Sequence, residues 1–463
     1  MNIEIFAIVY ILFTFLILLT GLPVGFVLSG VALIFSSIGI VFGFFDYTYL
    51  IAIPNRIFGI MTNQNLLAVP LFIFMGLVLE KTKIAENLLI SMNNIYKDSN
   101  GGFAISVIIV GALMGASTGI VGASVVTLGL LSLPVMIRHN YPNSLACGVI
   151  CASGTLGQII PPSLVLILLA DVLSSAYQQA QLNMGIFSPE TVTIADLFAG
   201  AIFPSIVLPI LYILYIKSIN IKKIDTIKNI KKIDTINADV DEVKEISFLK
   251  SFFPPILLII VVLGSIIFGI ATPSEAAALG VLGAILISTI QKKITFNIID
   301  ICSKETIKLT SMVFMILIGA TFFSLVFRGL EGEELIHSFL GNDINNKNIT
   351  LGLVLLMMFL LGFILDFIEI IFIIIPLFGP VLFTLGFDPI WVGILIAMVL
   401  QTSFLTPPFG FSLFYLRGVA PKNINTIEIY KGVYPFIIIQ VLVIGIVFLF
   451  PSIATFLPKL ISN

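Results

Sequence analysis

Residues Ala152–Ser163 read ASGTLGQIIPPS, and residues Gln401–Gly410 read QTSFLTPPFG. Each places a Pro pair inside an apolar stretch, 144–172 and 390–416, that is long enough to cross a bilayer. About 20 apolar residues span the hydrocarbon core. A Pro within such a helix lacks the N–H donor and crowds the carbonyl one turn back, so both stretches are expected to be broken helices. Pro161–Pro162 and Pro407–Pro408 lie 246 residues apart, and so do Pro134 and Pro380, which precede them by 27. Pro23 and Gly30 match Pro273 and Gly280 at an offset of 250. Matches in the same order at nearly constant offset predict two repeats, 1–216 and 251–463, joined by 217–250.

The composition fits that reading. Of 463 residues, 59% are hydrophobic and 10% charged, against roughly 25% charged in soluble domains. No charged residue lies between Glu4 and Asp46, or between Asp98 and Arg138. The fold class is therefore all-α and polytopic in a membrane. A net charge of −2 without a basic face excludes nucleic-acid binding. Cys147 and Cys151 share one predicted helix and Cys302 is remote, so the cysteines read as small apolar packing residues. His139 and His337 fall in predicted loops without metal-ligand spacing.

Further spans are expected at 3–20, 24–44, 64–80, 196–216, 252–270, 274–290, 309–327 and 432–456. The first lacks a basic segment before it and reads as a true span rather than a signal. Lys and Arg mark the cytoplasmic side. Segment 217–250, with eight Lys and the duplicated IKKIDTI of 221–227 and 230–236, reads as a cytoplasmic linker. Segments 81–100, 138–143, 291–308 and 417–431 read as inside; 173–195, 328–348 and 384–389 read as outside, as does the N-terminus. This orientation closes only if 102–137 and 349–383 each return to the side they entered from, as re-entrant hairpins. Equivalent loops of the two repeats then fall on opposite sides. Inverted-topology repeats of this kind are the architecture of many secondary transporters.

In such folds ligands bind near the midplane, where helices are interrupted. Four stretches qualify: Gly115-Ala-Ser-Thr-Gly119 with Gly122-Ala-Ser124, the two Pro-pair segments, and Gly362-Phe-Ile-Leu-Asp366 with Glu369. Carbonyls freed before a Pro pair and Ser/Thr hydroxyls offer oxygen ligands to a cation, and half-helix N-termini offer N–H groups to a carboxylate. Gly, Ser and Thr also serve as ordinary helix-packing residues in membranes. Asp366 is the sharpest signal. An acid at a span centre costs roughly 2.5–3.5 kcal/mol on insertion scales, and no Lys or Arg shares its apolar run, so a bound cation is its natural partner. Asp171 reads as interfacial. Glu275, in Thr272-Pro-Ser-Glu275, reads as the acid of a capping box with Pro at N1. No Arg in any predicted span offers a carboxylate clamp.

The blocks GASTGIVGASVV, ASGTLGQIIPPS, ATPSEAAALG and TPPFGFSLFYLRG, in this order, resemble the large membrane subunit of tripartite ATP-independent periplasmic (TRAP) transporters, the DctM-like family. The resemblance runs from Pro23 to the last span. It implies a sodium-driven elevator carrier in the bacterial inner membrane, working with a separate small four-helix membrane subunit and a soluble periplasmic binding protein that delivers an organic acid. It further implies sodium ligands around Ser117, Gly119, Ser153, Gly157, Asp366, Thr402 and Thr406. Substrate contacts are implied at Ser117, Thr118, Ser153, Thr155, Gln158, Ser163, Thr402 and Phe409. Many members carry an acid in the first hairpin; here that stretch reads Ile120-Val121-Gly122. One sodium ion moving down ~100 mV gains roughly 2.3 kcal/mol, and a tenfold gradient adds about 1.4 kcal/mol. ATP is not required, and the chain has no GxxxxGK[ST] phosphate loop. The nearest rival is a stand-alone ion-coupled carboxylate carrier of the same superfold. An intramembrane aspartyl protease using Asp171 and Asp366 would need a GxGD pattern that the segment around Asp366 lacks, and a passive anion channel would need a ring of Lys or Arg.

Overall fold

The computed structural model describes residues 3–82, 84, 88, 89, 91, 92, 101–219, 248–338 and 346–461. The 217–250 linker lies outside them except at its two ends. Every regular element among the described residues is helical. The first half contains α1 (Ile3–Leu18), α2 (Val24–Phe42), α3 (Thr48–Ile51), α4 (Ile53–Met61), α5 (Ala68–Lys81), α6 (Gly102–Thr118), α7 (Val121–Arg138), α8 (Asn143–Thr155), α9 (Leu164–Asn183) and α10 (Ile194–Ser218). The second contains α11 (Phe248–Ile267), α12 (Pro273–Ile290), α13 (Phe296–Gly329), α14 (Gly332–His337), α15 (Lys347–Leu361), α16 (Phe367–Thr384), α17 (Pro389–Leu405), α18 (Phe411–Val419), α19 (Thr426–Leu449) and α20 (Ser452–Ile461). Seven of these are long and apolar enough to cross a membrane, and the protein is a multi-pass membrane protein.

Large apolar side chains such as Leu12, Phe26, Phe203, Leu282, Leu442 and Leu449 point outward, as a hydrocarbon solvent permits. One apolar core runs through both halves. It is pinned by a few polar contacts: the Tyr10 hydroxyl donates to the Phe323 carbonyl at 3.1 Å, the Trp391 indole to the Val447 carbonyl at 2.7 Å, and the Gln440 amide to the Tyr212 hydroxyl at 2.8 Å. Packing partners recur with the halves exchanged. Helix α2 packs on α13 as α12 packs on α5, and α9 packs on α16 as α18 packs on α7. Helix α16 is the most enclosed of the seven candidate spans: 78% of its apolar window is buried in protein, against 33–50% for the others. It therefore faces protein on nearly all sides rather than lipid.

Several boundaries differ from the hydropathy reading. Segment 291–308 is not a loop: α13 starts at Phe296, with the Thr295 hydroxyl accepting from the Ile298 N–H at 3.3 Å and an Asp300–Lys304 ion pair at 2.7 Å one turn on. Hydropathy finds the part of a helix that touches lipid, and this helix continues beyond it. Helices α3 and α4 occupy the segment before the third span, and α14 lies within 328–348, so His337 ends a helix rather than sitting in a loop. Asp171 lies well inside α9, which runs on to Asn183. The capping box at Thr272 and Glu275 forms as read, with Pro273 in the first turn.

The tightest crossing joins α8 to α19, where a Cβ added to Gly148 would collide with the Gly432 carbonyl. Gly148→Val should force these helices apart and cost about 1–3 kcal/mol, read as a lower melting temperature in detergent. Gly352→Ala, with nothing within 4 Å of the new Cβ, should leave it unchanged.

Candidate functional site at the broken helices

Both Pro-pair stretches are interrupted. After α8 a short 3-10 turn, Leu156–Gln158, leads to the pair, and α9 restarts at Leu164. After α17 the chain unwinds over 406–410 and α18 restarts at Phe411. Each Pro pair is joined by a cis peptide bond. The freed carbonyls are partly taken by hydroxyls. The Ser163 hydroxyl donates to the Gln158 carbonyl at 2.7 Å, Ser205 to Ile159 at 2.9 Å, and Ser412 to Phe404 at 2.8 Å.

Segments 102–137 and 349–383 are also two helices each. The turn between α6 and α7 is Gly119–Ile120, with Gly119 at φ 61°, a conformation that a side chain would disfavour. The turn between α15 and α16 ends at Asp366. Ile120 and Asp366 both sit at the N-cap of the second helix, at the 246-residue offset that relates the Pro pairs. Asp366 Oδ1 accepts from the Phe367 N–H at 2.8 Å, and Glu369 Oε2 accepts from the Asp366 N–H at 3.1 Å. The pair thus forms a capping box, a local partner for Asp366 that hydropathy alone does not reveal. Ile120 offers its helix no such oxygen.

The tips and breaks meet. A Cβ on Gly115 would lie 2.5 Å from Gly157 Cα, one on Gly119 would lie 3.0 Å from the Leu164 nitrogen, and one on Gly122 would lie 2.9 Å from the Tyr415 ring. In the second half Gly362 abuts Ser403, whose hydroxyl donates to the Phe359 carbonyl at 2.7 Å. The starts of α7 and α9 are therefore neighbours and α18 packs against α7 through Tyr415; none of the three helix starts receives a hydrogen bond from a capping side chain. Their first N–H groups have no partner from a cap.

The hydroxyls singled out from the sequence mostly bond to their own helices. Ser117 donates to Met114 at 2.9 Å, Ser153 to Val149 at 2.6 Å, Thr155 to Ala152 at 2.9 Å, Thr402 to Met398 at 2.8 Å and Thr406 to Thr402 at 2.7 Å. Each oxygen retains acceptor capacity. The Thr118 side chain lies outside the described residues, and Phe409 is 53% exposed. Among the described residues no cluster of three or more His, Cys, Asp or Glu could hold a metal, so a cation here would rest chiefly on hydroxyl and backbone oxygens.

Two amides stand apart. Gln158 and Gln401 are both fully buried, and neither side-chain oxygen nor nitrogen of either has a hydrogen-bond partner. Gln158 was expected at the site. Gln401, in the second Pro-pair motif, is not among the residues expected at the site, yet like Asp366 it is a polar group deep in a predicted span. Leaving a buried polar group unsatisfied costs about 1–3 kcal/mol. Gln401→Leu should therefore raise the melting temperature of the ligand-free protein. A lowered value would show that the amide is satisfied in the folded chain.

A cavity of about 840 Å³ lies elsewhere. It is bounded by α4 and the end of α13 on one side and by α9 and α16 on the other, and no residue predicted for the site lines it. It does hold Arg56 and Arg328, so cationic groups for a carboxylate exist where span-by-span reading found none.

A family model described as the tripartite ATP-independent periplasmic transporter, DctM component, matches residues 11–453. The C4-dicarboxylate TRAP transporter large permease protein DctM of Rhodobacter capsulatus is 26% identical, over 96% of this chain and 97% of that one. The sialic acid TRAP transporter large permease protein SiaM of Vibrio cholerae is 25% identical over 96% of each. The ectoine TRAP transporter large permease protein TeaC of Halomonas elongata is 26% identical over 86% of each. Among solved structures, the Alcanivorax borkumensis YdaH transporter shares the fold, with a TM-score of 0.62 at 14% identity over 87% of each chain. Neisseria gonorrhoeae MtrF follows at 0.57 and 12% identity, over 86% of this chain and 83% of that one. The chain belongs to the DctM family, the large membrane subunit of tripartite ATP-independent periplasmic transporters.

Proposed function

We propose that the protein is the permease subunit of a sodium-coupled importer of an organic carboxylate. It works in the bacterial inner membrane, N-terminus outside, with a small four-helix membrane subunit and a soluble periplasmic binding protein. The observation that carries this reading is the set of three uncapped half-helix starts, α7 lying against both α9 and α18, together with the broken segments that bury Gln158 and Gln401 without partners. N–H groups at such starts suit a carboxylate, and buried amides suit its remaining polar atoms. The relatives' names, for C4-dicarboxylate, sialic acid and ectoine, support the substrate class.

Sodium would be held by oxygens at Ser117–Gly119, Ser153–Gly157 and Thr402–Thr406, with Asp366 supplying the negative charge. Ser117, Thr118, Ser153, Thr155, Gln158, Ser163, Thr402 and Phe409 would contact substrate. The hairpins and broken helices would move together against the remaining helices, as in an elevator. The halves 1–216 and 251–463 would act as inverted repeats that supply the two end states.

In proteoliposomes containing this chain and its small subunit, an inward sodium gradient plus the binding protein should drive uptake of an organic acid. Asp366→Asn should lower that uptake about tenfold or more, the scale of losing one charged contact. Sodium at about 100 times its Kd should stabilise the wild-type chain by about 2.7 kcal/mol, and the mutant by less. Uptake without the binding protein would favour the stand-alone carrier, and a fully active mutant would remove Asp366 from the cation site.

A further inference from the structure

The cavity between α4, α13, α9 and α16 has a volume, about 840 Å³, within the roughly 300–1,000 Å³ usual for small-molecule sites. Its two arginines are not equivalent. Arg328 is engaged by Glu333, which accepts from Nε at 2.8 Å and lies 2.7 Å from Nη2. Arg56, on the exposed face of α4, makes no ion pair among the described residues and is one of the residues that line the cavity. On the opposite wall Asp171 is occupied: its Oδ1 accepts from the Asn63 amide at 2.7 Å, a bond that crosses from the α4–α5 connection to α9. Asn63 is a neutral donor and leaves the Asp171 charge in place, so the walls are balanced in sign, with Arg56 the cation that no carboxylate binds among the described residues. Around it are neutral hydrogen-bonding groups, including Ser175, Gln179, Thr191 and Thr321.

The position has a direction. The cavity is built from the segment before the third span, the C-terminal part of α9 with the following loop, and the end of α13. The Lys and Arg distribution assigns the adjoining loops to the outside. Along α16 the cavity is lined by Phe372, Pro376 and Pro380, which lie roughly 9–21 Å from the Asp366 cap at 1.5 Å per residue. It is a separate compartment on the outer side of the broken helices.

We propose that this cavity is an outward capture site for an organic anion, in which Arg56 binds the carboxylate before it moves to the broken helices. The site rests on the transport reading above and extends it. Arg56 is a cation in a concave wall with its donors unclaimed by any carboxylate among the described residues, so a ligand carboxylate there gains a charge-assisted hydrogen bond. Arg328 stays with Glu333 and holds the wall in place.

The test uses the full chain with its small subunit in vesicles of zwitterionic lipid, carrying Ser175→Cys as a reporter in the cavity. The native Cys147, Cys151 and Cys302 are buried and serve as the background, measured without the reporter. An anionic methanethiosulfonate added outside should modify the reporter about tenfold faster, relative to its neutral analogue, than it does after Arg56→Gln. Arg56→Lys should keep most of the advantage. The organic acid imported by the wild type should slow the labelling, and Arg56→Gln should raise the KM for uptake more than it lowers kcat. An unchanged rate ratio after Arg56→Gln overturns the proposal, even where uptake is normal. Loss of binding-protein-dependent uptake with an unmoved reporter also overturns it and makes Arg56 a docking contact for that protein. If the chain shows no sodium-driven uptake, the coupling mechanism fails, while the labelling ratio still decides whether Arg56 gathers anions.

Discussion

Backbone N–H and C=O groups inside a bilayer have no water to bond, so a helix can be interrupted at membrane depth only where protein surrounds the break. The rest of this fold is arranged around that constraint. Two Pro pairs break two helices, and the breaks are enclosed by the tips of the α6–α7 and α15–α16 pairs and by α10, whose Ser205 reaches the Ile159 carbonyl. The near-complete burial of α16, the contact of Gly115 with Gly157 and that of Gly362 with Ser403 serve the same end. Lipid contact falls to the outer helices, which need no polar repair.

Polar satisfaction inside the enclosure is uneven in an informative way. Carbonyls near the breaks have found hydroxyl donors, and the start of α16 has its capping box. The starts of α7, α9 and α18 and the amides of Gln158 and Gln401 have not been served by side chains. A chain selected for stability alone would place apolar residues at 158 and 401. Retaining two buried amides fits a trade of stability for function.

Much of this was legible in the sequence because the decisive residues act locally. Pro161–Pro162 and Pro407–Pro408 break helices whatever surrounds them. Thr272-Pro-Ser-Glu275 was legible for the same reason. The extent of α13 was not, because its first turns are polar and hydropathy responds to lipid contact rather than to helicity. Nor was the cavity. Arg56 and Arg328 are 272 positions apart, and only the packing of α4 and α13 against α9 and α16 brings them to one wall. Asp366 was legible as an anomaly, but its capping role was obscured by reading the whole of 349–383 as one apolar hairpin. Gln401 carries no charge, so hydropathy does not set it apart from its apolar neighbours.

The mismatch between Ile120 and Asp366 reaches beyond local geometry. Both residues are N-caps of the second helix of their pair, yet one brings a carboxylate to that place and the other a hydrocarbon. Taking a carboxylate out of water costs several kcal/mol unless donors or a cation meet it, and a hydrocarbon carries no such penalty. The two turns therefore tolerate different surroundings: the one at Asp366 must keep polar company, and the one at Ile120 can be stripped of water without electrostatic cost.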